Sequence, residues 1–557
     1  MTDNIQKLSI RLLKVGVEPA DALREGVDLD DWPKIEGAKI ALNTMGGNPP
    51  KWSSFLGLSE DEKKKVWNNT AFGLVFLQTS GRWFAVSFGM GHVKLDPSKF
   101  EQDFGLRVVL NSVDEGQLKS ADVRTPDENT LSRRSQTSRG SDQTAFAIDV
   151  ERDIIRGLAG TPKDMDFATR VAGSDALSMD RRLKVADLPK ACDDALSVYA
   201  KNDYKNHFGW VDQIKHVREA DLLEKLDDAA AAKLEAVIGG ADPDGLHLAF
   251  PIIYDPEKGA CIRYKGFRSK LVFPDLDLSG YLGALQEQGV TSFTADDLRK
   301  HAVHEVDDEG KDCGKSWKIG ECLVLEAEVD GLTYVLSGGR WYQVAQDYAQ
   351  ELVKFFDELP REELPDALPD ENEEKYNRRL KNDVPELLCL DRKLIKPTGW
   401  TTSIEACDFL DKNARVIHVK DKTSSSRLSH LFNQGTVSGR VLIGDAAARD
   451  LLRGRIDEVQ ADTGQTGFAD VIPSANESFQ PRDYTIVYAV IGTGDDAKLP
   501  FFSLVTLRQA VRELIVMGYK AAFAWIKKPA AAGTKPAKKL AEDQDDGEVI
   551  ETDGEAA

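Results

Sequence analysis

Ile404-Glu-Ala-Cys-Asp408, Arg415-Val-Ile-His-Val-Lys420 and Ser426-Arg-Leu-Ser-His-Leu-Phe-Asn-Gln434 are the stretches on which the reading of this chain turns. They read as a strand carrying acids, a strand carrying a lysine, and a short helix with a polar face. The two-residue period of a strand puts Val416, His418 and Lys420 on one face and Ile417 and Val419 on the other. His418 and Lys420 therefore point the same way. Glu405 and Asp408 are three apart and face opposite sides of a regular strand, so only one joins a common site unless a bulge intervenes. In the helix, Arg427, His430 and Gln434 share a face, while Leu428, Leu431 and Phe432 turn to the core. Ser424-Ser-Ser426 caps its start.

Working outward, Leu387-Leu-Cys-Leu-Asp391 reads as the preceding strand of a three-strand meander. Asp370 to Leu380 reads as a helix before it, bringing Glu373 and Glu374 close. Downstream, Tyr484 to Ile491 reads as a buried strand, Leu507 to Met517 as a helix and Ala521 to Ile526 as a final strand. These elements predict a mixed sheet with flanking helices, of the α/β (mixed α+β) class. An acidic, proline-bearing connector at Pro360 to Glu374 marks a seam.

The N-terminal part also reads as α+β. Thr70 to Gln78 and Ser80 to Phe88 form an expected hairpin, as do Cys322 to Val329 and Leu332 to Ser337 around Asp330-Gly331. Between Thr125 and Asp142 the chain is polar and predicts a loop. Arg133, Arg134 and Arg139, interleaved with hydroxyls, give that segment a second reading as a phosphate-contacting patch. His301 and His304 beside Asp307 and Asp308 read as solvated helix-end residues, since no further ligand is evident. The expected organisation is multidomain: 1–160 and 161–345 as α+β domains, 346–528 as the C-terminal domain, and 529–557 as a disordered acidic tail.

With 557 residues, 41% hydrophobic and 30% charged, the chain can bury a sizeable core. No apolar run is long enough for a membrane span, and the N-terminus lacks a secretory apolar region. The six cysteines are scattered without paired spacing, which fits reduced thiols in a cytoplasm. The formal net charge of −21 argues against a surface coated for nucleic acid. A confined basic groove on a negative body remains compatible with it.

The residue types at the centre suit phosphodiester hydrolysis. That reaction needs a cation that neutralises developing charge and lowers the pKa of a bound water. Mg2+, or Mn2+ in its place, takes carboxylate oxygens. Asp408 fills the ligand role, and Glu374, or Glu405 across a bulge, supplies a further acid. Lys420 readies the nucleophile and offsets negative charge. Arg427, His430 and Ser424 offer a polar and basic rim for a nucleic-acid backbone. Cys407 with His418 as nucleophile and base is disfavoured, because no oxyanion donor or orienting acid accompanies them.

This segment resembles the core of the PD-(D/E)xK nuclease superfamily, in which an acid-bearing strand is followed by a lysine-bearing strand and a helix that often holds a glutamine. Asp408, His418-Val-Lys420 and Gln434 are the matching positions. The resemblance implies a restriction-endonuclease-like C-terminal sheet and gives Gln434 a role in orienting Lys420 or substrate. His418 departs from the pattern, standing where a second carboxylate is expected. That substitution implies a changed metal, a migrated carboxylate, or a core that has lost catalysis and kept binding. Over nearly its full length the chain is also similar to a sporadically distributed family of uncharacterised bacterial proteins from mobile or defence-associated neighbourhoods. Phe104-Gly-Leu-Arg-Val-Val-Leu-Asn111, Gly339-Arg-Trp-Tyr342, Tyr376-Asn377, Ile417-His-Val-Lys420 and Leu428 to Gly435 carry that similarity. Two functions are thus expected: a metal-dependent nuclease acting on foreign DNA or RNA, or a non-catalytic scaffold or sensor that uses the same fold to bind nucleic acid or protein.

Overall fold

Ser80 and Gly81 take φ angles of 48° and 72°, the left-handed pair that a two-residue hairpin turn requires. They join strands Thr70–Thr79 and Arg82–Gly89 in antiparallel register through Thr79 and Arg82. Asp330 and Gly331 repeat the device between Leu323–Val329 and Leu332–Ser337. Both hairpins stand where the turn chemistry places them. The computed structural model describes residues 5–529 except 46–52, 54–55, 68–69, 127–129, 242, 244, 254–260, 270, 307–310, 423–424 and 494–497. Residue 529 apart, the expected acidic tail lies outside the described residues.

The described residues divide into two compact units interleaved along the sequence. The first is drawn from 1–226, 247–280 and 298–349, and the second from 227–246, 281–297 and 350–557. The first unit is built on a 10-stranded antiparallel sheet. Helices Phe104–Ser112 and Leu188–Tyr199 cover one face, burying Phe104, Val108, Ala191 and Cys192 against Leu8, Ile10, Val86 and Leu177. The polar stretch expected to form a loop is instead the strand Leu131–Ser141 at the sheet's end, paired with Val113–Thr125. None of its residues is buried, so the strand needs no apolar face and hides its period from sequence. His304 lies on the strand Ala302–Val306 and not at a helix end, with Asp307 and Asp308 outside the described residues.

The second unit holds the segment of interest. Helix α1 (Glu373–Asp383) is capped by Asn372, whose side chain accepts from Lys375 N. Strands β1 (Leu387–Cys389), β2 (Leu394–Ile395), β3 (Ile404–Glu405), β4 (Phe409–Asp411) and β5 (Arg415–Asp421) follow. Helices α2 (Ser425–Gly444) and α3 (Ala446–Thr463) precede β6 (Thr485–Thr493), α4 (Phe501–Val516) and β7 (Lys520–Lys528). The 5-stranded sheet runs β1-β4-β5-β6-β7, antiparallel across its first two pairings and parallel across the last two. This is the mixed sheet with flanking helices that the sequence predicts. Strands β2 and β3 pair separately as a short ribbon.

Strand alternation sorts the two faces. Ile417, Val419, Val487, Ala489, Ala522 and Ala524 pack with Tyr376 and Leu380 of α1. On the opposite face Tyr488 meets α2, its ring 5.3 Å from that of Phe432 and its hydroxyl donating to the Phe432 carbonyl at 3.0 Å. Gly435 makes this approach feasible, since a Cβ there would lie 2.5 Å from the Tyr488 ring. Among the described residues no helix is long and apolar enough to cross a membrane.

Candidate functional site

Strand β4 begins at Phe409, opposite Ile417. The N–H of Val419, two residues on, therefore needs another acceptor. Asp408 Oδ2 supplies it at 2.8 Å, while the backbone N–H of Asp408 donates to the Ile417 carbonyl at 3.0 Å. The carboxylate thus fills the ladder position where the strand has diverged. Its other oxygen accepts from Asn377 Nδ2 at 3.1 Å, and Asp408 is buried.

The divergence also solves the spacing problem of the two acids. Ala406 and Cys407 interrupt the path between β3 and β4, so Glu405 and Asp408 are not on one regular strand. Their carboxylates converge with that of Asp391, with ligand oxygens all within 4.8 Å of one another. Asp391 sits in the turn after β1, next to Arg392, whose φ of 60° turns the chain back. The backbone N–H of Arg392 donates to Glu405 Oε1. Three short elements therefore aim three acids at one point.

The electrostatics follow from that crowding. Burial first, then Glu405, pushes the Asp408 carboxyl well above the usual carboxylate range, although Val419 N–H opposes the shift. Glu405 is raised by burial and by Asp391, against the pull of Arg392 N–H and Lys420. Lys420 Nζ lies 2.9 Å from Glu373 Oε1 at the start of α1. Lys420 thus pairs with Glu373 and also offsets the charge of Glu405.

The expected residues separate clearly. Asp408, Glu405 and Lys420 come together. Glu374 does not join them: it pairs with Arg378 at 2.7 Å on the solvent side of α1. One residue's rotation on the helix puts Glu373 in its place. His418 is buried, opposite Tyr488 in the β5–β6 register and thus on the α2 face. It is outside the group of acids that could share an ion. Burial pulls its imidazole down to about 4, which favours the neutral form, and its Nε2 has no partner among the described residues.

Gln434 is half-buried, one helical turn before Ser438, whose hydroxyl donates to the Glu405 carbonyl at 3.3 Å. Gln434 thus shares a helix row with the residue that touches the Glu405 backbone. His430 is exposed on α2. Ser424 lies outside the described residues, as does the side chain of Arg427. Cys407 is buried and its thiol is pushed well above its usual range by burial and Asp408, which leaves it a poor nucleophile. In the first unit Arg133 binds Asp153 at 2.5 Å, and Arg134 holds Asp122 through two bonds of 2.6 Å. Arg139 is exposed. Two of the three arginines proposed to touch phosphate are thus committed to carboxylates.

Asp391, Glu373 and Asn377 were not singled out as site residues by sequence. Asp391 has a signal, a lone acid ending an apolar strand beside the meander. Asn377 has none beyond its place in the Tyr376-Asn377 pair, because an asparagine in a helix is ordinarily solvated.

The Asp391, Glu405 and Asp408 oxygens, all within 4.8 Å of one another, could hold a divalent cation. The buried Asn377 Oδ1, without a partner among the described residues, is a further polar atom beside Asp408. Comparison with curated proteins and with solved structures returns no match. A family described as a family of unknown function (DUF6119) matches residues 8–527, and the chain belongs to that family.

Proposed function

We propose that the second unit carries a divalent-cation-dependent phosphodiesterase site that cuts nucleic acid, with Asp391, Glu405 and Asp408 as the ligand set. The observation that carries this reading is the convergence of those three carboxylates beside Lys420, in a chain region that passes from acid-bearing strand to lysine-bearing strand to helix. A bound Mg2+ or Mn2+ supplies charge neutralisation at the phosphate and a more acidic water. The protein's own groups do the rest. Asn377 and Val419 N–H fix the Asp408 carboxylate. Glu373 holds the Lys420 ammonium at the edge of the cluster, and Lys420 orients the attacking water and offsets charge on the phosphate. Gln434, on the helix row above Glu405, positions substrate or the lysine.

The position occupied by His418 supplies no acid, and Asp391 in the turn after β1 and Glu405 on β3 provide the charge instead. This is a migrated ligand set. The resemblance to defence-associated bacterial proteins points to foreign DNA or RNA as substrate. A second reading follows from the Glu373–Lys420 ion pair: with the amine neutralised, the same cluster would act as a cation-stabilised binding scaffold.

The test is direct. Full-length protein is incubated with plasmid DNA and with RNA in Mg2+ or Mn2+, beside Lys420→Ala and Asp408→Asn. Cleavage that disappears in both variants supports the enzyme. Metal-dependent binding without cleavage supports the scaffold, and cleavage surviving in both variants removes the site from the chemistry.

A further inference from the structure

Several arginines in the first unit are matched to acids. Arg340 contacts Asp103 at 2.9 Å and Asp175 at 2.5 Å, and Arg134 grips Asp122. Arg124 is not one of them. It is 2% exposed, yet its bonds go to neutral oxygens: Nε to Ser337 Oγ at 2.8 Å, Nη1 to the Phe250 carbonyl at 2.7 Å and to Ser132 Oγ at 3.2 Å. Its Nη2 is buried with no acceptor among the described residues. Among the described residues it forms no ion pair with a carboxylate.

A second guanidinium stands beside it. Strand Val113–Thr125 pairs Asp122 with Gly157 and Val123 with Ile155, so Arg156 is the extra residue of a bulge. Bulges of this kind re-aim a side chain out of the ladder. Arg156 Nη1 donates to the Tyr342 hydroxyl at 2.8 Å. A Cβ on Gly338 would lie 3.3 Å from that same nitrogen. Arg124 and Arg156 therefore meet at consecutive residues, Ser337 and Gly338, of one hairpin turn. Gly338 and Gly339, with φ of 60° and 71°, keep that turn tight and leave room for the guanidinium. Arg156 is only partly buried and likewise has no carboxylate partner among the described residues.

Burial, and then the charge of Arg156, pulls the Arg124 guanidinium down to about 10. Nearby His247 is held neutral, pulled down to about 4 by burial and by Arg124. Two like charges with an orphaned donor are costly inside a protein unless an anion completes them. Planar guanidinium forks flanked by hydroxyls match the oxygens of a phosphate group.

We propose that Arg124 and Arg156, with Tyr342, Ser132 and Ser337, form a binding site for a phosphate group. The site is independent of the carboxylate cluster and of any hydrolytic activity. The phosphate is either free or carried on a nucleotide, and the two sources are separable. Full-length protein is melted without divalent metal in inorganic phosphate, in adenosine monophosphate, and in chloride at matched ionic strength. Either phosphate ligand should raise Tm saturably by a few degrees above chloride. A lower half-saturating concentration for the nucleotide assigns the site to nucleotides, and equal values assign it to the free anion. Arg156→Gln, at a partly exposed position and expected to fold, should lose most of that rise, whereas Arg134→Gln should keep it. Calorimetric titration of phosphate should show the same loss even if Arg124→Gln proves too unstable to purify. No saturable rise over chloride, or an undiminished rise in Arg156→Gln, overturns the proposal.

Discussion

Asn377 donates its side-chain amide to Asp408 Oδ1 at 3.1 Å, and both residues are buried. The bond ties helix α1 to the point where β4 leaves the sheet. Asn377→Ala removes a donor to a buried carboxylate, and the expected loss of stability is about 1–3 kcal/mol. Urea unfolding of wild type and variant measures it. Affinity for Mn2+ should fall as well, because Asp408 then loses one of the two donors that hold its carboxylate. A variant with unchanged unfolding midpoint would show that the bond is incidental.

Glu373 and Lys420 form a partly buried pair at 2.9 Å. Glu373→Gln frees the ammonium while keeping the side-chain shape. Its effect on stability should be within about 1 kcal/mol, as for other pairs that keep contact with water. If Lys420 works on a phosphodiester, Glu373→Gln changes the rate and its pH profile while Lys420→Ala abolishes it. Identical cleavage in wild type and Glu373→Gln would detach the pair from the chemistry.

Divalent metal should alter the pH dependence of folding. The Asp408 carboxyl lies well above its ordinary range when folded. Between the unfolded and the raised folded value the native state binds more protons, so this group's contribution to stability falls as pH rises. Glu405 adds to the trend, with Asp391 and Glu373 as the neighbouring acids and Lys420 opposing them. A cation binds the ionised form and should flatten the slope. Tm measured across pH 4 to 8, at roughly millimolar Mn2+ or with a chelator, tests this. Parallel curves with and without metal would count against the site.

His418 behaves in the opposite sense. Its folded value of about 4 lies below the ordinary 6.5. The stability that depends on its neutral form is therefore present above pH 6.5 and lost as pH falls towards 4. His418→Leu should gain on wild type progressively through that window. His418→Glu should not rescue or enhance metal binding, because the position faces Tyr488 and α2. It should instead destabilise by several kcal/mol through a buried, unpaired acid. Tighter Mn2+ binding in His418→Glu would return the position to the ligand set.

Much of the second unit was legible because its elements are strongly periodic. Ile417 and Val419 against Val416 and His418, and Leu428, Leu431 and Phe432 in α2, follow strand and helix periods closely, and their burial agrees. Lys420 follows the same strand period, whereas Asp408 stands in the irregular segment before β4, where no period applies. The choice between Glu373 and Glu374 was not legible, since it depends on helix phase at a terminus where one residue turns the side chain by about 100°. Asp391 was hidden because its role depends on the left-handed Arg392 and on how far β4 diverges, neither of which has a local sequence mark. The strand Leu131–Ser141 was missed for a different reason: with no buried residue, it carries no hydrophobic period.

The interleaving of the two units has a practical corollary for dissection. The path passes from one to the other at 226/227, 246/247, 280/281, 297/298 and 349/350. No single proteolytic nick or truncation can release either body intact. A fragment beginning at residue 350 would leave behind the helix turns supplied by 227–238 and 281–287. During synthesis the second body must also wait for its last strand, Lys520–Lys528, to leave the ribosome before its sheet can close.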